Sequence, residues 1–217
     1  MTPLLISLKV AFGATLVILP PGILLGLLLA RRDFPGKSIV ETLTSLPLVL
    51  PPTAVGYLLL RLFARTGPLG PATLGLDFDL LFTWKGAVVA SSVMALPLVA
   101  RSARVAFEQV DPGLEAMGRT LGLGPVGTFT RISLPLARRG LLSAAILGFS
   151  RAIGEFGATV IVAGNIPGRT QTLALAIFED MQIGRDSEAM TLIGITVVLA
   201  FAAIWSVEFL SRRKPRS

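Results

Sequence analysis

The chain has 217 residues, 53% of them hydrophobic, and a mean hydropathy of +0.75, a balance that excludes an ordinary water-soluble domain. Its net charge of +7 sits on the connections between apolar stretches, which argues against a nucleic-acid-binding surface. With no cysteine and no histidine there is no disulfide frame, no thiolate or imidazole metal site, and no imidazole general base. A spanning helix needs about 20 mostly apolar residues. Stretches at about 4–30, 39–63, 84–107, 141–163 and 190–209 meet that need, so the expected fold is a single all-α membrane domain of five spans. The polar remainder is too short for a sizeable soluble domain.

The first span carries Lys9 near one end, where it can snorkel to the interface, and Pro20-Pro21-Gly22, which should kink or locally break it. No basic segment precedes this span, and four more follow it, which favours a membrane helix over a signal peptide. The turn Phe34-Pro35-Gly36-Lys37-Ser38 lacks the spacer and second glycine of a phosphate loop. The second span contains Pro47, Pro51 and Pro52 followed by Thr53. Prolines remove backbone donors, and freed carbonyls are tolerated at membrane depth only when buried in protein or facing a wet cavity. The segment is either a broken helix beside a translocation path or a tightly packed structural kink. Residues 64–83 form a loop with the turn cluster Gly67-Pro68-Leu69-Gly70-Pro71 and the acids Asp77 and Asp79. Trp84 then opens the third span as an interfacial anchor.

Residues 111–140 are the longest polar interruption. Asp111-Pro112 is a helix start, since Asp accepts orphan amide bonds and Pro suits the first turn. Gly122 and Gly124-Pro125 stop that helix, and Arg131, Arg138 and Arg139 follow. A polar connection of this length between membrane helices should contact something. The fourth span carries Arg151 and Glu155, four residues apart and hence expected on one helix face as a pair. They either line a path or gate, or form a structural ion pair joining helices. Gly148, Gly154 and Gly157 let another helix approach. Asn165 to Gly168 makes a turn, and residues 172–181 suggest a short helix at the outer surface. Glu208 closes the last span ahead of the basic tail Arg212-Arg213-Lys214 with Arg216.

Charge placement gives the orientation. Thirteen basic residues occupy alternate connections (Arg31, Arg32, Lys37; Arg101, Arg104, Arg119, Arg131, Arg138, Arg139; and the tail), against Arg61, Arg65, Lys85, Arg169 and Arg185 on the other side. This positive-inside pattern places the N-terminus outside and the C-terminus in the cytoplasm.

Glu115-Ala116-Met117, then Gly122, nine residues, and Ile132-Ser133-Leu134-Pro135 resemble the cytoplasmic coupling loop of ABC-importer permeases. Met117 replaces the second alanine of the usual motif, and Gly122 lies one residue further from Glu115 than the common spacing. Phe34 to Leu60, and Gly154-Glu155-Phe156-Gly157-Ala158-Thr159 with Gly164 to Leu173, are similar to the molybdate and tungstate permeases of that group. Sulfate permeases share the Gly-Glu-Phe-Gly core. The resemblance implies a type I permease fold and a subunit importing molybdate or tungstate across a bacterial or archaeal plasma membrane. A sulfate or thiosulfate permease is the nearest alternative, and a stand-alone secondary transporter is the alternative of another class. It further implies ATPase coupling through Glu115, Ala116, Met117, Gly118, Gly122, Ile132, Leu134 and Pro135. The path or gate would lie at Pro47, Pro51, Pro52, Thr53, Arg151, Glu155 and Gly157, and binding-protein docking at Asn165, Pro167, Gly168 and Arg169. No catalytic residue, metal or cofactor is expected on this chain, ATP and magnesium belonging to a partner dimer of ABC ATPase subunits. The other implied partners are a second copy of the chain, a periplasmic or lipid-anchored oxyanion-binding protein, and membrane lipid.

Overall fold

The structure, a computed structural model, describes residues 2–75 and 79–211; Asp77 and the tail residues Arg212, Arg213, Lys214 and Arg216 lie outside the described residues. Helix α1 spans Pro3–Arg31, α2 Lys37–Val49, α3 Pro52–Phe63, α4 Pro71–Leu74, α5 Trp84–Glu108, α6 Pro112–Thr120 and α7 Pro125–Thr128. A π-helical turn, Phe129–Ser133, leads into α8 Leu134–Ile153, followed by α9 Gly157–Ala163, α10 Leu173–Gln182 and α11 Asp186–Ser211. Among the described residues four helical stretches are long and apolar enough to cross a membrane: α1, α5, Pro125–Ile153 and Asp186–Phe209. The pair α2 and α3, bent by 110° at its break, makes a fifth where the two are counted as one span.

Helices α1 and α5 run parallel and pack against each other along most of their length, α5 being the more buried of the two. Lys9 Nζ lies 3.7 Å from the centroid of the Trp84 ring at one end, Ser92 Oγ donates to the Ala14 carbonyl midway, and Arg31 Nη2 donates to the Val110 carbonyl at the other. The contact is made of small residues. Ala11, Ala14, Ala87, Ala100 and Ala103 are all buried, and a Cβ on Gly26 would stand 2.7 Å from the Arg104 backbone nitrogen. Lipid tails give helices no hydrophobic reason to associate, so close backbone approach and dispersion have to hold them. Helix α8 returns antiparallel, with Gly148 against Val99 and Gly140 against Ala106. The outward faces are apolar: Phe12, Leu16 and Leu24 on α1, and Val198, Phe201 and Trp205 on α11, are exposed. That inversion is what a lipid-facing surface requires.

Several elements differ from the sequence-based expectation. Pro20 and Pro21 sit inside an unbroken α1, and Pro47 sits inside α2. The second span breaks at Leu50-Pro51 instead, where consecutive prolines remove two donors together. The fourth span is not one helix over 141–163. Helix α8 starts at Leu134, continuous with the π-turn, and stops at Ile153; Gly154 to Phe156 are non-helical, and α9 begins at Gly157. Helix α11 starts at Asp186, four residues ahead of Met190.

Helix α2 contributes no buried residue. Arg104 of α5 reaches it through Nη1 to Glu41 Oε1 at 2.7 Å, and Arg101 through Nη2 to Ser45 Oγ at 2.9 Å. A cavity of about 400 Å³ opens among Glu41, Thr44, Ser45, Arg101, Arg104 and Glu108. At the start of α2, Lys37 hydrogen-bonds to Asp33, and the bond and its charge hold the Asp33 carboxyl below the usual carboxylate range.

Candidate functional site

At the end of the bundle where α1 and α5 finish, α6 forms a short surface helix. Asp111 caps it by accepting from the Gly113 amide at 2.8 Å, with Pro112 in the first turn. Its other end is a Schellman motif: the Gly122 amide donates to the Arg119 carbonyl and the Leu123 amide to the Gly118 carbonyl, both at 3.0 Å. Gly122 has φ +88°, a left-handed conformation that costs other residues about 1 kcal/mol or more. Only Glu115 and Gly118 of α6 are buried. Gly118 lies directly against the tip of the Ile132 side chain, so α6 rests on the π-turn there.

Glu115, for which the resemblance implies a role in ATPase coupling, turns into the molecule. Its Oε1 accepts from Arg31 Nε at 3.1 Å, Arg31 Nη2 at 2.9 Å and Ser133 Oγ at 2.7 Å. The outward face of α6 presents Leu114, Ala116, Met117 and Leu121, with Val126 beyond it. Arg119 and Arg131 are exposed beside them. Ile132 is half-buried, while Leu134 and Pro135 are exposed at the foot of α8. These apolar side chains stand exposed at a polar, strongly basic end of the bundle, the composition that a contact with another chain would require.

A second constellation lies where the two broken spans meet. A Cβ on Gly157, the first residue of α9, would stand 2.8 Å from Pro52 Cβ and 3.3 Å from the Thr53 amide nitrogen at the start of α3. The two helix breaks therefore touch. Beyond them, Gly56 packs on the Ala158 backbone, so α3 and α9 continue side by side. Arg151 and Glu155 do pair, Nη1 to Oε2 at 2.7 Å, but across the end of α8 and not along one continuous helix. The break frees the other oxygen, Oε1, to accept the Ala158 amide at 2.9 Å and cap α9. Glu155 is 2% exposed and the Arg151 side chain 29%. The carboxylate is thus satisfied within the protein, while the guanidinium retains access to whatever lies beside the break.

At the opposite end, Asn165 faces inward. Its Nδ2 and Gln171 Nε2 both donate to Glu179 Oε2 of α10, at 2.6 and 2.7 Å. Buried Thr170 accepts from the Ile166 amide and donates to the Gly164 carbonyl, closing the loop. The start of α10 is held to α1 by the Leu173 amide donating to Ser7 Oγ at 2.7 Å. Pro167, Gly168 and Arg169 form the exposed tip, so Asn165 shapes the loop and these three present it.

Sequence reasoning missed Arg31, Ser133, Glu179 and Ser7. Arg31 and Glu115 are 84 residues apart, and Ser7 and Leu173 are 166 apart, separations that carry no periodic signal. Arg31 did stand out as a basic residue at a helix end, which reads equally well as an inner-leaflet charge.

The family described as binding-protein-dependent transport system inner membrane component matches residues 22–215. The chain is 43% identical over 212 residues to the molybdenum transport system permease protein ModB of Escherichia coli K12, covering 96% of this chain and 92% of that one. It is 30% identical over 208 residues to the sulfate transport system permease protein CysT of Salmonella typhimurium, covering 96% and 75%. In structure it resembles a chain of the inward-facing MetNI methionine ABC transporter, with a TM-score of 0.69 at 19% identity over 95% of this chain and 94% of that one. Four to five apolar spans, a capped surface helix at the basic end and these matches together make the chain a member of the binding-protein-dependent transport system inner membrane component family, with the type I fold of ABC-importer permeases.

Proposed function

We propose that this chain is the membrane-spanning subunit of an ABC importer that carries molybdate, or the similar tungstate dianion, into the cytoplasm. The observation that carries the substrate is the likeness to a molybdenum permease along nearly the whole of both chains. The chain contributes transport and no ATP chemistry: energy enters through a separate pair of ATPase subunits, which bind ATP and magnesium and dock on the outward face of α6. Nine described basic residues on the α6 side of the bundle support placing that end in the cytoplasm, with the N-terminus outside. A binding protein that delivers the anion meets the opposite end, at Pro167, Gly168 and Arg169. One bundle of five spans hardly encloses a path for an oxyanion, so two copies around a two-fold axis form it between them.

The gate is assigned to the touching breaks at Pro51, Pro52 and Thr53, and at Arg151, Glu155 and Gly157. The partly exposed Arg151 guanidinium and the N-terminal end of α3 both favour an anion there. Such a site needs to hold its ion only weakly, so selectivity rests mainly with the binding protein. Closure of the ATPase pair on ATP moves α6 and biases the bundle between inward- and outward-open arrangements.

The deciding measurement is ATP hydrolysis by the reconstituted permease–ATPase complex, with its binding protein loaded in turn with molybdate, tungstate and sulfate. Stimulation by the first two alone is expected. Stimulation by sulfate would move the chain to the sulfate group, and absence of any ATPase partner would sink the importer reading. On the docking face, Leu121→Asp places a charge in the exposed apolar patch without touching a buried contact. This variant should insert normally and lose co-purification with the ATPase subunit, a loss of about tenfold or more in affinity.

A further inference from the structure

Helix α6 has an unusual attachment. None of its apolar side chains is buried, and the two residues it buries are Glu115 and Gly118. Gly118 seats the helix on the π-turn below it through Ile132. The link to the first membrane helix is electrostatic. Arg31, the last residue of α1, places Nε and Nη2 on Glu115 Oε1 and shares Nη2 with the Val110 carbonyl, at the connection from α5 into α6. Ser133 Oγ, at the last residue of the π-turn beneath α8, donates to the same Oε1. One carboxylate oxygen thus receives three donors, and one node joins the end of α1, the exit of α5, the middle of α6 and the foot of α8.

The node is shielded, the Arg31 and Glu115 side chains being 19% and 8% exposed. Charge-assisted bonds in such a setting are short, directional and costly to leave half-made. The planar fork of arginine can hold a carboxylate and a carbonyl together, which a lysine ammonium does less rigidly. A push on Leu114, Met117 or Leu121, on the outward face, would otherwise only rock α6 on its glycine contact.

We infer that Arg31 is a positioning residue for energy coupling: through Glu115 and Ser133 it locks α6 to α1, α5 and α8, so that displacement of α6 moves the bundle. This rests on the reading of α6 as the ATPase-docking helix. Arg31 lies outside the exposed face of α6 and acts through Glu115.

The test uses the full permease–ATPase complex in proteoliposomes with molybdate-loaded binding protein, comparing wild type with Arg31→Met, Arg31→Lys and Ser133→Ala. Three quantities are read: co-purification of the ATPase, basal ATP hydrolysis, and molybdate taken up per ATP hydrolysed. Arg31→Met leaves Leu114, Met117 and Leu121 intact, so the complex should assemble and keep its basal hydrolysis. Uptake per ATP should fall about tenfold or more, the scale of a lost charge-assisted bond. Arg31→Lys should recover part of it, and Ser133→Ala should lose about threefold, having removed one donor of three. Spin labels at exposed Arg32 and Thr120 should give a narrow distance distribution in wild type and a broad one in Arg31→Met. Wild-type uptake per ATP in an assembled Arg31→Met complex would overturn the inference while leaving the docking reading intact. An ATPase that stays bound to Leu121→Asp would count against the docking reading instead. Should Arg31→Met fail to fold, Ser133→Ala decides, and an unchanged ratio there overturns the inference.

Discussion

Gly26→Leu should cost this protein its fold. A Cβ at Gly26 would lie 2.7 Å from both Ala103 Cβ and the Arg104 backbone nitrogen, and 3.0 Å from the Ala100 carbonyl oxygen. Two of these obstacles are backbone, which cannot swing aside as a side-chain tip can. Overpacking of a filled interior costs about 1–3 kcal/mol where side chains can adjust, and more where helices must separate. Separation here would also part α1 from Ser92 and pull Arg31 off Val110, because both contacts need the same close approach. The expected result is little monodisperse protein in detergent and a lowered thermal transition in whatever remains. Gly154→Ala is the matched control: nothing lies within 4 Å of its added carbon, and its φ of −87° suits any residue. A Gly26→Leu protein as stable as the control would mean that α1 and α5 are not in van der Waals contact.

Glu155→Ala should be the most damaging single change outside the packing glycines. It strands the Arg151 guanidinium and uncaps α9 in one step, since Oε2 serves the first and Oε1 the Ala158 amide. Breaking a buried pair by removing one member costs about 3–5 kcal/mol, to be discounted because Arg151 is partly exposed. Loss of a cap adds about 1 kcal/mol. Uptake of molybdate and thermal stability should therefore both fall. The double variant Arg151→Met/Glu155→Met separates the two meanings of the pair, because apolar replacement of both partners commonly restores stability. Restored stability without uptake would make the pair part of the gate. Restored uptake would make it a joint and nothing more.

How far the sequence reveals this architecture depends on where each backbone group finds its partner. The apolar stretches announce the membrane helices because in lipid a helix satisfies itself. Asp111-Pro112 and Gly122 announce the ends of α6 because caps are local. The breaks were harder to read. Pro20-Pro21 and Pro47 look like breakers yet lie within helices, whereas Gly154 to Phe156 contain no proline and do break. In the fourth span a spacing of four between Arg151 and Glu155 mimics a helical pair. The non-helical turn is held by partners distant in sequence: Glu155 caps α9, and Gly157 abuts Pro52, over a hundred positions earlier. The same holds for Arg31, whose partner is chosen by the fold and not by its neighbours in the chain.

The contact between the two breaks also has a mechanical consequence. Two jointed rods with separate elbows could flex independently, giving two degrees of freedom. Here the elbows touch at Gly157 and Pro52, and the forearms α3 and α9 lie against each other from Gly56 onward. Bending one elbow alone would shear that contact, so the cheapest deformation turns both forearms about one shared axis. Two hinges in contact in this way would move as a single stroke, with the parallel pair of α1 and α5, packed on small residues, as the frame against which they turn.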